Sequence, residues 1–76
     1  MERNYIEDKK FEKADFTADA LTEGDYEGCQ FLHCNFSGVD LSGFHFIDCI
    51  FNGCNLSTVQ VVKTTFHGAV FTHCRL

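Results

Sequence analysis

Every fifth residue from Ile6 onward is large and apolar: Ile6, Phe11, Phe16, Leu21, Tyr26, Phe31, Phe36, Leu41, Phe46, Phe51, Leu56, Val61, Phe66, Phe71 and Leu76. In a chain that is 45% hydrophobic, such a run arises by chance in about one sequence in 10⁵. No insertion breaks it. A second phase, two residues earlier, is mostly small or thiol-bearing: Ala14, Gly24, Cys29, Cys34, Val39, Cys49, Cys54, Val59, Ala69 and Cys74. All the cysteines fall in it. The other phases carry turn-formers and polar residues such as Asn35, Ser37, Gly38, Asp40, Ser42, Asn55 and Ser57.

A period of five suits neither regular element. In a helix, successive apolar residues would lie about 140° apart around the axis. In a strand they would alternate between faces. A chain that turns at regular intervals, however, returns each apolar residue to one axis, and this predicts a solenoid whose coils bury one another. A 20-residue echo sets the coil. It aligns Phe11, Phe31, Phe51 and Phe71, then Cys34, Cys54 and Cys74, then Cys29 and Cys49, and finally Asn35 and Asn55. The glycines dissent, since Gly28 and Gly43, like Gly38, Gly53 and Gly68, recur at 15.

The pattern therefore predicts a solenoid of about 3.5 coils, forming a single domain over residues 1–76. Its expected core is Phe11, Phe16, Leu21, Tyr26, Phe31, Phe36, Leu41, Phe46, Phe51, Leu56, Val61, Phe66 and Phe71, with Cys29, Cys34, Cys49, Cys54 and Cys74 between them. Lys9 and Asp19 occupy the small inward phase, where a lone charge is costly to bury. Residues 1–10 are accordingly expected to form a cap or irregular first coil, and residues 11–76 the regular repeats. Leu76 is an inward position, so the expectation is a chain that either continues or pairs end to end.

Charge narrows the function classes. Eleven acids against six bases leave a net charge of −5, which argues against direct nucleic-acid binding. No apolar run approaches the roughly 18 residues of a membrane span, and the first residues lack the apolar core of an export signal. Five cysteines without such a signal suggest a reducing, cytoplasmic setting. The cysteines read as small buried hydrophobes, and their C-x4-C spacing is not that of a zinc site. His33, His45, His67 and His73 fall in outward phases without a neighbouring nucleophile. No catalytic, cofactor-binding or metal residues are assigned, and no cofactor is expected. Residues 14–62 hold no Lys or Arg, which makes Asp15, Asp25, Asp40 and Asp48 a candidate acidic interaction surface. Ile47, Ile50 and Val70 form a candidate outward apolar patch.

The repeats Cys34-Asn35-Phe36-Ser37-Gly38, Val39-Asp40-Leu41-Ser42-Gly43 and Cys54-Asn55-Leu56-Ser57-Thr58 resemble the pentapeptide-repeat family. Ala14-Asp15-Phe16-Thr17-Ala18 extends the likeness toward the start. The resemblance implies an all-β solenoid, a right-handed quadrilateral β-helix of four repeats per coil with little or no α-helix, in a bacterial protein. Residues 31–43 are similar to the quinolone-resistance subgroup, which implies an acidic, DNA-mimicking rod that binds a type II topoisomerase (DNA gyrase) and gives quinolone protection. The expected function is a non-enzymatic protein-binding module with an unknown partner, with topoisomerase binding as the alternative. A homodimer through the coil ends or the apolar patch is a further expected mode.

Overall fold

The computed structural model describes residues 4–76. Eight short strands follow in order: β1 (Asn4–Glu7), β2 (Lys10–Glu12), β3 (Gly24–Glu27), β4 (Gln30–Leu32), β5 (His45–Ile47), β6 (Ile50–Asn52), β7 (Thr65–His67) and β8 (Val70–Thr72). They form two parallel sheets, β1-β3-β5-β7 and β2-β4-β6-β8, which are the first and second sides of a four-sided solenoid. Single bridges complete the other two: Asp15–Asn35–Asn55–Arg75 on the third and Asp40–Gln60 on the fourth. Each pairing joins residues 20 apart, as in Phe31 with Phe51 and Tyr26 with Phe46. The expected β-solenoid with a 20-residue coil is the fold observed.

The corners explain why five residues make one side. A left-handed residue stands two positions after all but two of the inward ones, at Asp8, Lys13, Gly28, His33, Gly38, Gly43, Asp48, Gly53, Thr58, Lys63, Gly68 and His73. Stacked corners interfere across coils. A Cβ on Gly53, whose φ is +68°, would lie 2.5 Å from Nδ1 of His33 one coil earlier. Every stacked corner pair in the described coils therefore contains a glycine, apart from Lys13 over His33. One glycine serves the corners stacked on either side of it, so glycine need not recur at every 20th residue, and its 15-residue recurrence is compatible with a 20-residue coil.

Ala18 and Glu23 are the two corner positions that do not adopt the left-handed conformation. A Cβ costs roughly 1–2 kcal/mol in that conformation, a cost that the seven other non-glycine corners bear. At Ala18 the chain instead makes a helical turn, in which the amides of Ala18 and Asp19 both donate to the carbonyl of Asp15. Among the described residues, the irregular part of the first coil is therefore residues 16–23, not residues 4–10. Residues 4–7 and 10–12 pair in register with the second coil, and residues 1–3 lie outside the described ones. Lys9 and Asp19 both stay exposed, which avoids the burial cost. The displaced turn leaves an open hollow of about 470 Å³, lined by Phe11, Phe16, Tyr26, Lys9 and Asp19 among others.

The core is a ladder of rings. Phe31 stacks nearly parallel on Phe11 at 4.8 Å and on Phe51 at 4.9 Å between centroids. It meets Phe36 and Phe46 edge to face. Tyr26, Phe31, Phe36, Leu41, Phe46, Phe51, Cys29, Cys34, Cys49 and Cys54 are fully buried, and Phe16 and Leu56 nearly so. Phe44, oversized for its phase, is buried by stacking between Tyr26 and Phe46. The expected core is too long at its ends. Val61, Phe66 and Phe71 are exposed, while Phe11, Leu21 and Cys74 are half-buried. A coil is sealed only when neighbours stack on both of its sides, so an inward phase alone does not bury a residue.

Candidate interaction surfaces

Each repeat turns the chain by about a right angle, so the four predicted acids face different ways. Asp15 lies on the third side, Asp25 on the first and Asp40 on the fourth, while Asp48 stands at the corner between the first and second. They do not form one surface. Asp15 accepts from the Thr17 amide at 3.0 Å and from its hydroxyl. Asp40 accepts from the Ser42 amide at 2.9 Å. The Thr17 hydroxyl and amide hold the Asp15 carboxyl below the ordinary carboxylate range, and Ser42 does the same for Asp40. These two carboxylates fasten turns, the role that Asn35 and Asn55 play for Ser37 and Ser57. Asp25 lies 3.1 Å from Nδ1 of His45 on the next coil.

A different set of acids does gather. Glu7, Asp25 and Glu27 project from the first side, with Asp8 and Asp48 along one edge and Glu23 at the other. Tyr5 donates its hydroxyl to the Glu27 carboxylate, and that hydrogen bond is the largest cause pushing the Tyr5 phenol up to about 12. Further along, the same side carries His45, Ile47, Thr65 and His67. The signal in the sequence was the 20-residue alignment of Glu7 with Glu27, which appears only once acids are sorted by side.

The second side is unlike the first. Beyond the first coil it presents Gln30, Leu32, Ile50, Asn52, Val70 and Thr72, with no charge among them. Ile50 and Val70 are register partners, 41% and 51% exposed. Ile47, the third member of the predicted patch, lies half-buried on the first side, separated from them by the Asp48 corner. Half-buried Leu32 belongs with Ile50 and Val70 instead, a fact hidden until the sides are assigned.

The thiols face inward, each donating to a backbone carbonyl one coil earlier. The distance is 3.2 Å from Cys49 to Tyr26 and 3.1 Å from Cys54 to Phe31. Burial is the main cause pushing both thiols up to about 11, and it raises Cys34 as well. Tyr26 is pushed up to about 12, again chiefly by burial. The folded chain keeps these protons where the unfolded chain has lost them, so stability falls as pH rises through the window. Unfolding in urea at pH 8, 10 and 11 is expected to show a midpoint that drops between pH 9 and 11. The drop is expected to be smaller in Cys49→Ser and Cys54→Ser, whose hydroxyls do not ionise there. A midpoint constant to pH 11 would contradict the burial of neutral thiols.

Among the described residues, no three His, Cys, Asp or Glu side chains converge on a point where a metal could sit. His33 and His73 stand at corners, and His45 and His67 point outward from the first side.

Comparison with known proteins agrees with this geometry. The family description "Pentapeptide repeats" matches residues 29–68 in 8 copies. Among solved structures, full-length QnrB1, a plasmid-mediated fluoroquinolone resistance protein, superposes with a TM-score of 0.77 at 24% identity. That match covers 93% of this chain but 43% of QnrB1, so the chain spans less than half of its length and the likeness is one of fold. A search of curated protein sequences finds no match. With more than half of its length matched by the repeat, and its coils, corners and inward phases those the repeat requires, the chain belongs to the pentapeptide-repeat family.

Proposed function

We propose that the chain is a non-enzymatic protein-binding module that docks through its second side. The observation that carries this is the in-register pair Ile50 and Val70, exposed on a face that is uncharged beyond the first coil. Apolar side chains flanked by amides and hydroxyls, here Gln30, Asn52 and Thr72, match the apolar centre and polar rim of protein interfaces. Asp48 bounds the face along one edge, and His33 and His73 stand along the other. The test is a photo-crosslinking residue placed at Gln30 or, separately, at Glu27 on the first side. Crosslinking at position 30 to one partner at one-to-one stoichiometry, abolished by Ile50→Asp, is expected. Crosslinking only from position 27, or none from either, would contradict docking through the second side.

A second reading rests on the acids of the first side. Glu7, Asp8, Glu23, Asp25, Glu27 and Asp48 cluster there, with Lys63 at the edge shared with Glu23. Such a side could enter a basic groove that otherwise holds DNA, as in a type II topoisomerase. Supercoiling by DNA gyrase, with and without a quinolone, tests it at two salt concentrations. Inhibition or protection that weakens with salt, and disappears in Asp25→Lys/Glu27→Lys, supports this reading. Gyrase unaffected by folded protein at low salt removes it.

A further inference from the structure

We infer that Cys54 and Cys74 form a two-coordinate site for a soft divalent metal ion, held linearly between two stacked coils. The coil register sets the two residues one above the other, since their neighbours Asn55 and Arg75 are bridged. Their side chains are oriented alike. Cys54 donates to the carbonyl of Phe31 at 3.1 Å and Cys74 to that of Phe51 at 3.1 Å, each acceptor lying 23 residues earlier. Two side chains in matching surroundings are related by the rise from coil to coil, which places the sulfurs about 4.8 Å apart. An ion midway between them would sit about 2.4 Å from each, close to the roughly 2.3 Å of a metal–thiolate bond.

The donor set decides which ion fits. Structural zinc requires four ligands, and among the described residues no three potential ligands converge on one point; the third thiol of the column, Cys34, lies on the far side of Cys54. Two thiolates alone suit a soft ion that accepts linear coordination. Charge favours a divalent one, because two thiolates then leave a neutral complex in an apolar interior that resists residual charge. On binding, two S–H bonds break, two S–metal bonds form and two protons pass to solvent. No electron changes hands. Half-buried Cys74 gives the ion its way in, while Cys54, 1% exposed, closes the inner end. Cys29 with Cys49, and Cys34 with Cys54, also stack, but every thiol of those two pairs is sealed inside the rod.

The mercuric ion is the probe. One equivalent is expected to bind per chain as a monomer by native mass spectrometry and to raise Tm by several degrees. It is also expected to lower the free-thiol count from five by two. Cys29→Ser is expected to behave like the parent, whereas Cys74→Ser loses both the second blocked thiol and the gain in Tm. Mercury absorption-edge spectroscopy of the parent is expected to show two sulfur neighbours and no others, a readout that does not depend on any variant folding. One blocked thiol per ion, an ion shared between two chains, an equal Tm gain in Cys74→Ser, or an equal gain with zinc would each overturn the site.

Discussion

Replacing Phe31 with alanine is expected to lower the unfolding free energy by about 3–5 kcal/mol, the range for truncating a buried aromatic. That is a large share of the 5–15 kcal/mol typical of whole domains. Phe31 is fully buried and packs against six other rings, two of them stacked above and below it. Of those pairings, its contacts with Phe11 and Phe51 also bind three successive coils together. Phe71 stacks on Phe51 with the same geometry but is 41% exposed. Phe71→Ala is therefore expected to cost about half as much or less, since much of its apolar surface is never removed from water. Urea unfolding followed by circular dichroism measures both. Equal losses at the two positions would contradict burial by stacking.

Gly24→Ala is expected to be the most damaging addition of a single methyl group. A Cβ there would lie 2.5 Å from the carbonyl oxygen of Asn4 and 2.8 Å from its Cβ. The first of these is backbone, which cannot swing aside. Either β1 separates from β3 or the second coil shifts, at about 1–3 kcal/mol for overpacking. Exchange of the amide hydrogens of residues 5–7 is the sensitive readout, because those residues pair with β3. They are expected to exchange much faster in the variant, with residues 46 and 51 little changed. Protection at residues 5–7 equal to that of the parent would show that the first side does not approach so closely.

The coil was legible in the sequence because each position carries one physical demand. Inward residues must be large and apolar, the phase before them small, and both recur without a break. The exposure of Val61, Phe66 and Phe71 was not legible, because it depends on which coils stack beyond them and not on phase. The corners were legible only in part. Gly28, Gly38, Gly43, Gly53 and Gly68 all share one phase, yet their recurrence at 15 pointed away from a 20-residue coil until they were seen to alternate with other residues at stacked corners. The irregular turn at residues 16–23 was not legible at its corners, because Ala18 and Glu23 carry a Cβ just as Lys13, Thr58 and Lys63 do, and those three turn left-handed.

The candidate surfaces were harder to read for a geometric reason. Acids 8 to 15 residues apart look like one cluster along the chain, but each repeat turns them toward another side. Asp15 and Asp40 were also indistinguishable in sequence from free surface acids, although both accept from the residue two positions on and fasten a turn. Ile50 and Val70 were recognisable because exactly one coil separates them in number, whereas Ile47 lies on the neighbouring side.

All of these assignments of sides rest on the 20-residue register, and cross-coil contacts in solution test it most directly. Nuclear Overhauser spectra of the labelled protein are expected to connect backbone protons of residues 20 apart, such as Phe31 with Phe51, Asn35 with Asn55 and Tyr26 with Phe46. Contacts between residues 15 apart, such as Phe31 with Phe46 through their backbones, would mean a three-sided coil. That result would contradict the four-sided fold and dissolve both surfaces with it.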